Sequence, residues 1–377
     1  MRKIFKKIHL WLSVPVGLIL SIICLTGAIL VFEKEITEKA NSHLYKVEYK
    51  EGMIPMTPSQ LVAHINQQMG NGNTLEISSL QIAGQPDKAW TAKIKNDSKK
   101  TLSINPYTGE INGWIEGSAF FQNVRKLHRW LLDPPLQKGA KSVGKVIVGV
   151  STLLMGIILI SGIVIWIPRN RKALKNRLQI ACTKGWRRFW YDTHVSLGFY
   201  AAIFLLIMVL TGLTWSFQWY RTGFYALFGA STEQPKRVDV QYGDKEGKKK
   251  EHKECINYVV WDKVVAELQN QYSGFDKIVI NEKEVQITQS GERRQDTAFF
   301  NSRTGEIKDI KVHKTDDVPA WANMKKFIYS LHTGLWGGMV TRIIYFIAAF
   351  VGGVLPLTGY YLWIKRTFRK KKQNNLI

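Results

Sequence analysis

Apolar and polar positions along this chain are segregated into long blocks. Four stretches, Leu10–Phe32, Val143–Ile167, Val195–Trp219 and Met339–Ile364, are almost continuously apolar. Each exceeds the roughly 20 residues that take a helix across the hydrocarbon core of a bilayer. The charged residues inside them are Lys145 and Arg342, each in the first turn, where a long side chain reaches the headgroup layer. Soluble core helices seldom run so far without charge. The pattern therefore predicts four membrane-spanning helices, over 8–32, 143–167, 193–219 and 339–364.

The blocks between the spans are polar, which excludes both a single soluble globule and a chain lying wholly in the membrane. Two of them are long. Each contains a helix-like stretch, Pro58–Gln68 or Tyr258–Gln269, and then short alternating runs that read as strands. The runs are Leu75–Ala83, Ala89–Lys95 and Thr101–Asn105 in the first block, and Lys277–Asn281, Glu284–Thr288 and Thr297–Asn301 in the second. Thr-Gly after the Asn suits a hairpin turn. Two small α+β domains are predicted, at 33–120 and 220–320, each joined to the next span by an interfacial segment, 121–142 or 321–338.

Charge changes the picture through its location. Lys and Arg outnumber Asp and Glu by 53 to 29, a net charge of +24. Such an excess often marks nucleic-acid binding, but here it is gathered on three short segments. Residues 1–7 carry four Lys/Arg, the loop 168–192 carries eight against one acid, and the tail 365–377 carries six and no acid. With four spans these segments share one side, and their basic character assigns that side to the cytoplasm. The charge is thus a topology signal, and nucleic acid is not an expected partner. Both large blocks are expected outside. The first span reads as an anchor, since its apolar run is longer than the core of a signal peptide and no A-x-A site follows it. Cys24, Cys182 and Cys255 fall in a span, the basic loop and an outer block, so they form no disulfide framework and no Cys-rich metal site.

The sequence is also written twice. His9 precedes Thr26-Gly27 by 17 residues, and His194 precedes Thr211-Gly212 by 17. The second span of each half ends alike, in SGIVIWIPR (Ser161–Arg169) and TGYYLWIKR (Thr358–Arg366), and is preceded by a Leu-His pair, at His128 in VRKLHRWLL and at His332 in IYSLHTGLW. NPYTGEI (Asn105–Ile111) matches NSRTGEI (Asn301–Ile307). The turn Asn-x-x-Thr-Gly-Glu-Ile within a helix-plus-sheet domain resembles a PepSY domain. The order of His-led span, PepSY-like domain, Leu-His segment and Gly-x-x-x-Trp span resembles the PepSY-associated transmembrane family over nearly the whole chain. That resemblance implies a four-transmembrane-helix bundle of duplicated helix pairs with two periplasmic PepSY-like domains, in a bacterial inner membrane. It also implies kinship with iron-regulated membrane proteins and haem-containing siderophore-iron reductases of Gram-negative bacteria.

Of eight histidines, His43, His64, His252 and His313 lie in polar sequence without repeat partners and read as solvated surface residues. His9, His128, His194 and His332 each have a repeat mate and each abut a span. They are candidate axial ligands for two non-covalent b-type haems; the plainer alternative is four interfacial histidines that anchor the bundle. Topology pairs them. His9 and His194 lead spans that start in the cytoplasm, whereas His128 and His332 precede spans that start outside, which gives one haem near each face. Gly27 and Gly212 would lie at the outer level, on the order of 27 Å along the helix from the inner histidines. Gly162 and Gly359 would lie at the inner level. These glycines either make room for a flat macrocycle or let membrane helices pack closely. Arg187, Arg188, Arg125 and Arg129 are candidates for propionate pairing or for headgroup contact. His128 and His332 stand 15 and 7 residues before their spans, so the outer pair requires a short helix that folds back.

No Gly-x-Gly-x-x-Gly opens a helix and no Walker loop is present, so electrons are expected from a quinol or a cytoplasmic donor. The function expected is electron transfer to a ferric siderophore or another periplasmic acceptor, a haem-dependent oxidoreductase activity. The other class in view is a non-enzymatic, membrane-tethered binding module that regulates an envelope protease or assembles with envelope partners.

Overall fold

A computed structural model of the chain describes residues 2–69, 75–95, 100–137, 142–230, 256–289, 295–311 and 320–374. Its helices are α1 (Arg2–Val31), α2 (Glu33–Ala40), α3 (Ser42–Tyr45), α4 (Pro58–Met69), α5 (Ala119–Trp130), α6 (Val143–Trp166), α7 (Arg171–Leu178), α8 (Trp186–Ser216), α9 (Gln218–Ala226), α10 (Tyr258–Gln271), α11 (Ala320–Thr333) and α12 (Gly338–Asn374). Its strands are β1 (Ile77–Ala83), β2 (Trp90–Ile94), β3 (Thr101–Ile104), β4 (Ile111–Ile115), β5 (Phe275–Asn281), β6 (Glu284–Gln289), β7 (Gln295–Phe300) and β8 (Ile307–Lys311). They form two compact units, one holding the long apolar helices and one holding the sheet.

In the helical unit, α1, α6, α8 and the segment Leu335–Phe368 are long and apolar enough to cross a membrane, so this is a multi-pass membrane protein. Their outward residues are apolar: Leu18, Ile157, Ile203 and Phe350 are all exposed on the bundle surface, as lipid-facing positions must be. Helix α1 packs on α6 and α12, and α8 packs on the same two, which sets α1 and α8 on one diagonal of the bundle. Close approach needs small residues. A Cβ at Gly352 would stand 2.8 Å from Leu205 Cδ2, and one at Gly353 would stand 2.5 Å from Leu25 Cγ. Leu20, Met155, Leu205 and Val209 fill the middle of the bundle. Helix α6 starts on a capped turn, where the Ser142 hydroxyl accepts from the Lys145 amide at 3.0 Å.

In the sheet unit the eight strands form one antiparallel sheet, in the order β4-β3-β2-β1-β5-β6-β7-β8. The two outer blocks, read from sequence as separate small domains, thus contribute four strands each to a shared sheet. They meet at β1 and β5, with Leu80 opposite Ile280 and Ile82 opposite Ile278. The physical reason is edge pairing: each half would leave a long strand edge open, and joining β1 to β5 satisfies both edges. Helices α4 and α10 cover the apolar face in a common core, where Leu61, Ile65, Trp261 and Leu268 are fully or almost fully buried. Asp262 of α10 accepts from Ser59 N at 2.8 Å and Ser59 Oγ at 2.5 Å, fastening the two helices together.

The Thr-Gly turns prove to be architectural. Asn105 Oδ1 accepts from the Tyr107 amide at 2.9 Å, the Gly109 amide donates to Asn105 O at 2.9 Å, and the chain returns as β4. Asn301 and Gly305 repeat the arrangement ahead of β8. Gly109 has φ +73°, and a Cβ there would meet His64 Cβ at 3.0 Å. Gly109→Ala is therefore expected to cost about 1–2 kcal/mol. The loss should appear as faster amide hydrogen exchange in β3 and β4, with exchange in the membrane helices unchanged.

Candidate functional site

The four repeat-related histidines meet in two pairs. At the first level, His9 of α1 reaches across to α6, with Nδ1 3.0 Å from Ile158 O and 3.1 Å from Ser161 Oγ. His194 of α8 reaches to α12, with Nδ1 2.8 Å from Thr358 Oγ1. Both come from the diagonal helices, and their ring centres stand 6.4 Å apart with planes at 89°.

At the second level the histidines come from short helices. Helix α5 packs on α1 and α6 and carries His128, whose Nδ1 lies 2.9 Å from Ile23 O and 3.2 Å from Thr26 Oγ1 of α1. Helix α11 packs on α8 and carries His332, whose Nδ1 lies 3.1 Å from Met208 O and 3.0 Å from Thr211 Oγ1 of α8. These rings are again 6.4 Å apart, with planes at 54°. Trp215 packs against His332 with ring centres 5.2 Å apart and planes at 64°.

Sharp reversals bring the short helices back. After α5, Leu131 and Leu132 adopt positive φ, 50° and 68°, an expensive conformation for leucine. The turn is held by Asp133, whose Oδ2 accepts from the Gly144 amide at 3.0 Å, and by a backbone approach so close that a Cβ at Gly144 would lie 1.7 Å from Trp130 O. After α11 the reversal uses Gly334, at φ +76°, and Gly338, at φ +71°.

Each of the four glycines singled out in the sequence sits under an imidazole. A Cβ would stand 3.1 Å from His128 Cε1 at Gly27, 3.3 Å from His9 Cε1 at Gly162, 3.3 Å from His332 Cε1 at Gly212 and 3.5 Å from His194 Cε1 at Gly359. The direct beneficiary of the missing side chain is thus the histidine ring. All four histidines are partly buried. Loss of surrounding water pulls His128 and His332 below the usual imidazole range, so both are neutral near pH 7, the form that binds metal.

Sequence reasoning passed over the hydroxyls that precede the glycines. Ser161-Gly162, Thr26-Gly27, Thr211-Gly212 and Thr358-Gly359 are visible in the sequence as marks of the repeat, but a membrane Ser or Thr usually bonds only its own helix, so the pairs point to no histidine partner. The arginines are mostly engaged elsewhere. Arg125 grips Glu33 through both carboxylate oxygens at 2.5 Å, Arg188 holds the buried Asp192 at 2.7 Å, and Arg129 lies over the Trp130 ring at 4.5 Å. Arg187 is exposed. His43 and His64 are exposed on the sheet unit, and His252, His313 and Cys255 lie outside the described residues. Among the described residues no group of three or more His, Cys, Asp or Glu is placed to hold a metal ion.

The pattern of the PepSY-associated TM region matches residues 6–366. The chain belongs to the PepSY-associated transmembrane family. Family membership covers both histidine pairs and both halves of the sheet, so the two levels belong to the matched region as a whole. Among curated proteins no match is found.

Proposed function

We propose that this member of the family is a di-haem electron carrier of the bacterial cytoplasmic membrane, with cytoplasmic termini and a periplasmic sheet unit, that reduces ferric iron held by a siderophore-like chelate. The observation that supports it most is the spacing of the histidine pairs. Two imidazoles that shared one metal ion through nitrogens each about 2 Å from it would have their ring centres about 6 Å apart. Both pairs stand at 6.4 Å. Nδ1 of every ring is tied to a neighbouring helix, which leaves Nε2 for the metal. Two ligands per site suit an iron whose macrocycle brings its own equatorial nitrogens.

Trp166 adds to the fit. It lies four residues beyond Gly162, on the same face of α6, and its buried Nε1–H has no acceptor among the described residues. A haem carboxylate at the His9 level would supply one. A haem at each pair would provide one-electron chemistry. The protein's own part is to orient the ligands, exclude water from the bundle and separate the two levels by an apolar layer around Leu20 and Leu205. Electrons from quinol or a cytoplasmic donor would enter at the His9 level and leave at the His332 level.

The visible spectrum of purified protein tests this reading. About two low-spin b-type haems per chain are expected, extractable by acid because no Cys-x-x-Cys-His is present for covalent attachment. Haem-free protein from haem-replete cells would overturn it, and would favour a tethered binding module.

A further inference from the structure

The four histidine seats share a local sequence as well as a geometry. In each, a helix carbonyl is followed three residues later by Ser or Thr and then by Gly. The carbonyls are those of Ile158, Ile23, Met208 and Leu355, and the hydroxyls those of Ser161, Thr26, Thr211 and Thr358. Every one of these hydroxyls donates to its own helix. Ser161 Oγ gives its hydrogen to Ile158 O at 2.8 Å, Thr26 Oγ1 to Ile22 O at 2.6 Å, Thr211 Oγ1 to Ile207 O at 2.6 Å and Thr358 Oγ1 to Leu355 O at 2.8 Å.

With its hydrogen committed, each hydroxyl oxygen can meet Nδ1 only as an acceptor. The carbonyl beside it is an acceptor as well. Nδ1 must therefore carry the ring proton, shared between the two oxygens, and Nε2 must carry the lone pair. We infer that Ser161, Thr26, Thr211 and Thr358 are positioning residues that hold the four imidazoles in the Nδ1–H tautomer and strengthen each as an iron ligand. The carbonyl alone would fix the tautomer. The hydroxyl adds a second acceptor, which draws the Nδ1 proton outward, raises the basicity of Nε2 and favours ferric over ferrous iron. The contact is shortest at Thr358, 2.8 Å from His194 Nδ1. The inference rests on the di-haem reading.

The test uses full-length protein in detergent and compares Thr358→Val and Thr211→Val, one at each level, with Thr358→Ser and Thr211→Ser. Potentiometric titration is expected to show two haems retained and an upward shift in the midpoint of one haem only, a different one in each valine variant. A change in the low-spin electron paramagnetic resonance g values should accompany it, and serine should restore both. Haem lost in the valine variant but kept in the serine variant would also support the hydroxyl's role. Haem retained with both midpoints unchanged would overturn the inference and leave the di-haem reading standing, as would a serine variant that behaves like valine. Nitrogen-15 spectra of histidine-labelled protein read the tautomer without reference to haem. An Nε2–H form at these histidines would overturn the inference even in haem-free protein.

Discussion

Alanine at His9 and alanine at His194 are expected to remove the same haem, and alanine at His128 or His332 the other. In each case the haem-to-protein ratio should fall from two to one. The reason is the pairing: His9 and His194 come from the two diagonal helices and face each other at 6.4 Å, and His128 and His332 do the same from α5 and α11. Loss of an axial ligand should exceed the roughly 10–100-fold weakening typical of outer-shell changes. Gly27→Val should reproduce His128→Ala. A Cβ added at Gly27 would stand 3.1 Å from His128 Cε1, and the two methyls of valine would push the ring off its seat. Pyridine haemochrome assay and resonance spectra of the four alanine variants check the assignment. Depletion of one common haem by His9→Ala and His128→Ala would show that the two levels are not the two sites.

The second large effect concerns the acceptor. Reduced protein in sealed vesicles should be reoxidised by a ferric chelate supplied on the side of the sheet unit, at least tenfold faster than by buffer alone. His332→Ala should abolish that transfer while the His9 level remains reducible by a quinol analogue. Thr26 stands 17 residues beyond His9 on α1, about 25 Å along the helix, so the separation of the two levels approaches the thickness of a hydrocarbon core. Two one-electron sites at those levels, as proposed, would call for an acceptor beyond the second. On the proposed reading the electron would reduce Fe(III) in the chelate to Fe(II), which would bind hard oxygen donors less tightly and be released. Stopped-flow traces of the haem bands would follow the reaction. Reoxidation no faster than buffer with any ferric chelate would sink the reductase reading and leave haem binding to be judged on its own.

The sequence by itself determined the features that depend on one segment at a time. Length and apolarity marked the four spans, the runs of basic residues pointed to an orientation, and alternation marked three strands in each outer block. The internal repeat singled out four histidines and four glycines among many, because recurrence at matched places in two halves sets a residue apart from its neighbours. The return strands β4 and β8 were less legible: Ile-Asn-Gly-Trp-Ile and Ile-Lys-Asp-Ile-Lys are short and partly polar, and become strands by pairing with β3 and β7.

Only the tertiary structure decided what touches what. The join of β1 to β5 links segments some 200 residues apart, and no local periodicity specifies which open edge another edge will meet. That the glycines serve the imidazoles, and that Ser161 and Thr358 receive His9 and His194, depends on which helices share a diagonal of the bundle. Bundle order is set by close packing at positions such as Gly352 and Gly353. The seats of His128 and His332 depend in addition on two chain reversals, one of them through leucines that no turn propensity would place there. Periodicity is a property of one helix or strand. A histidine pair seated among four helices is a property of their packing.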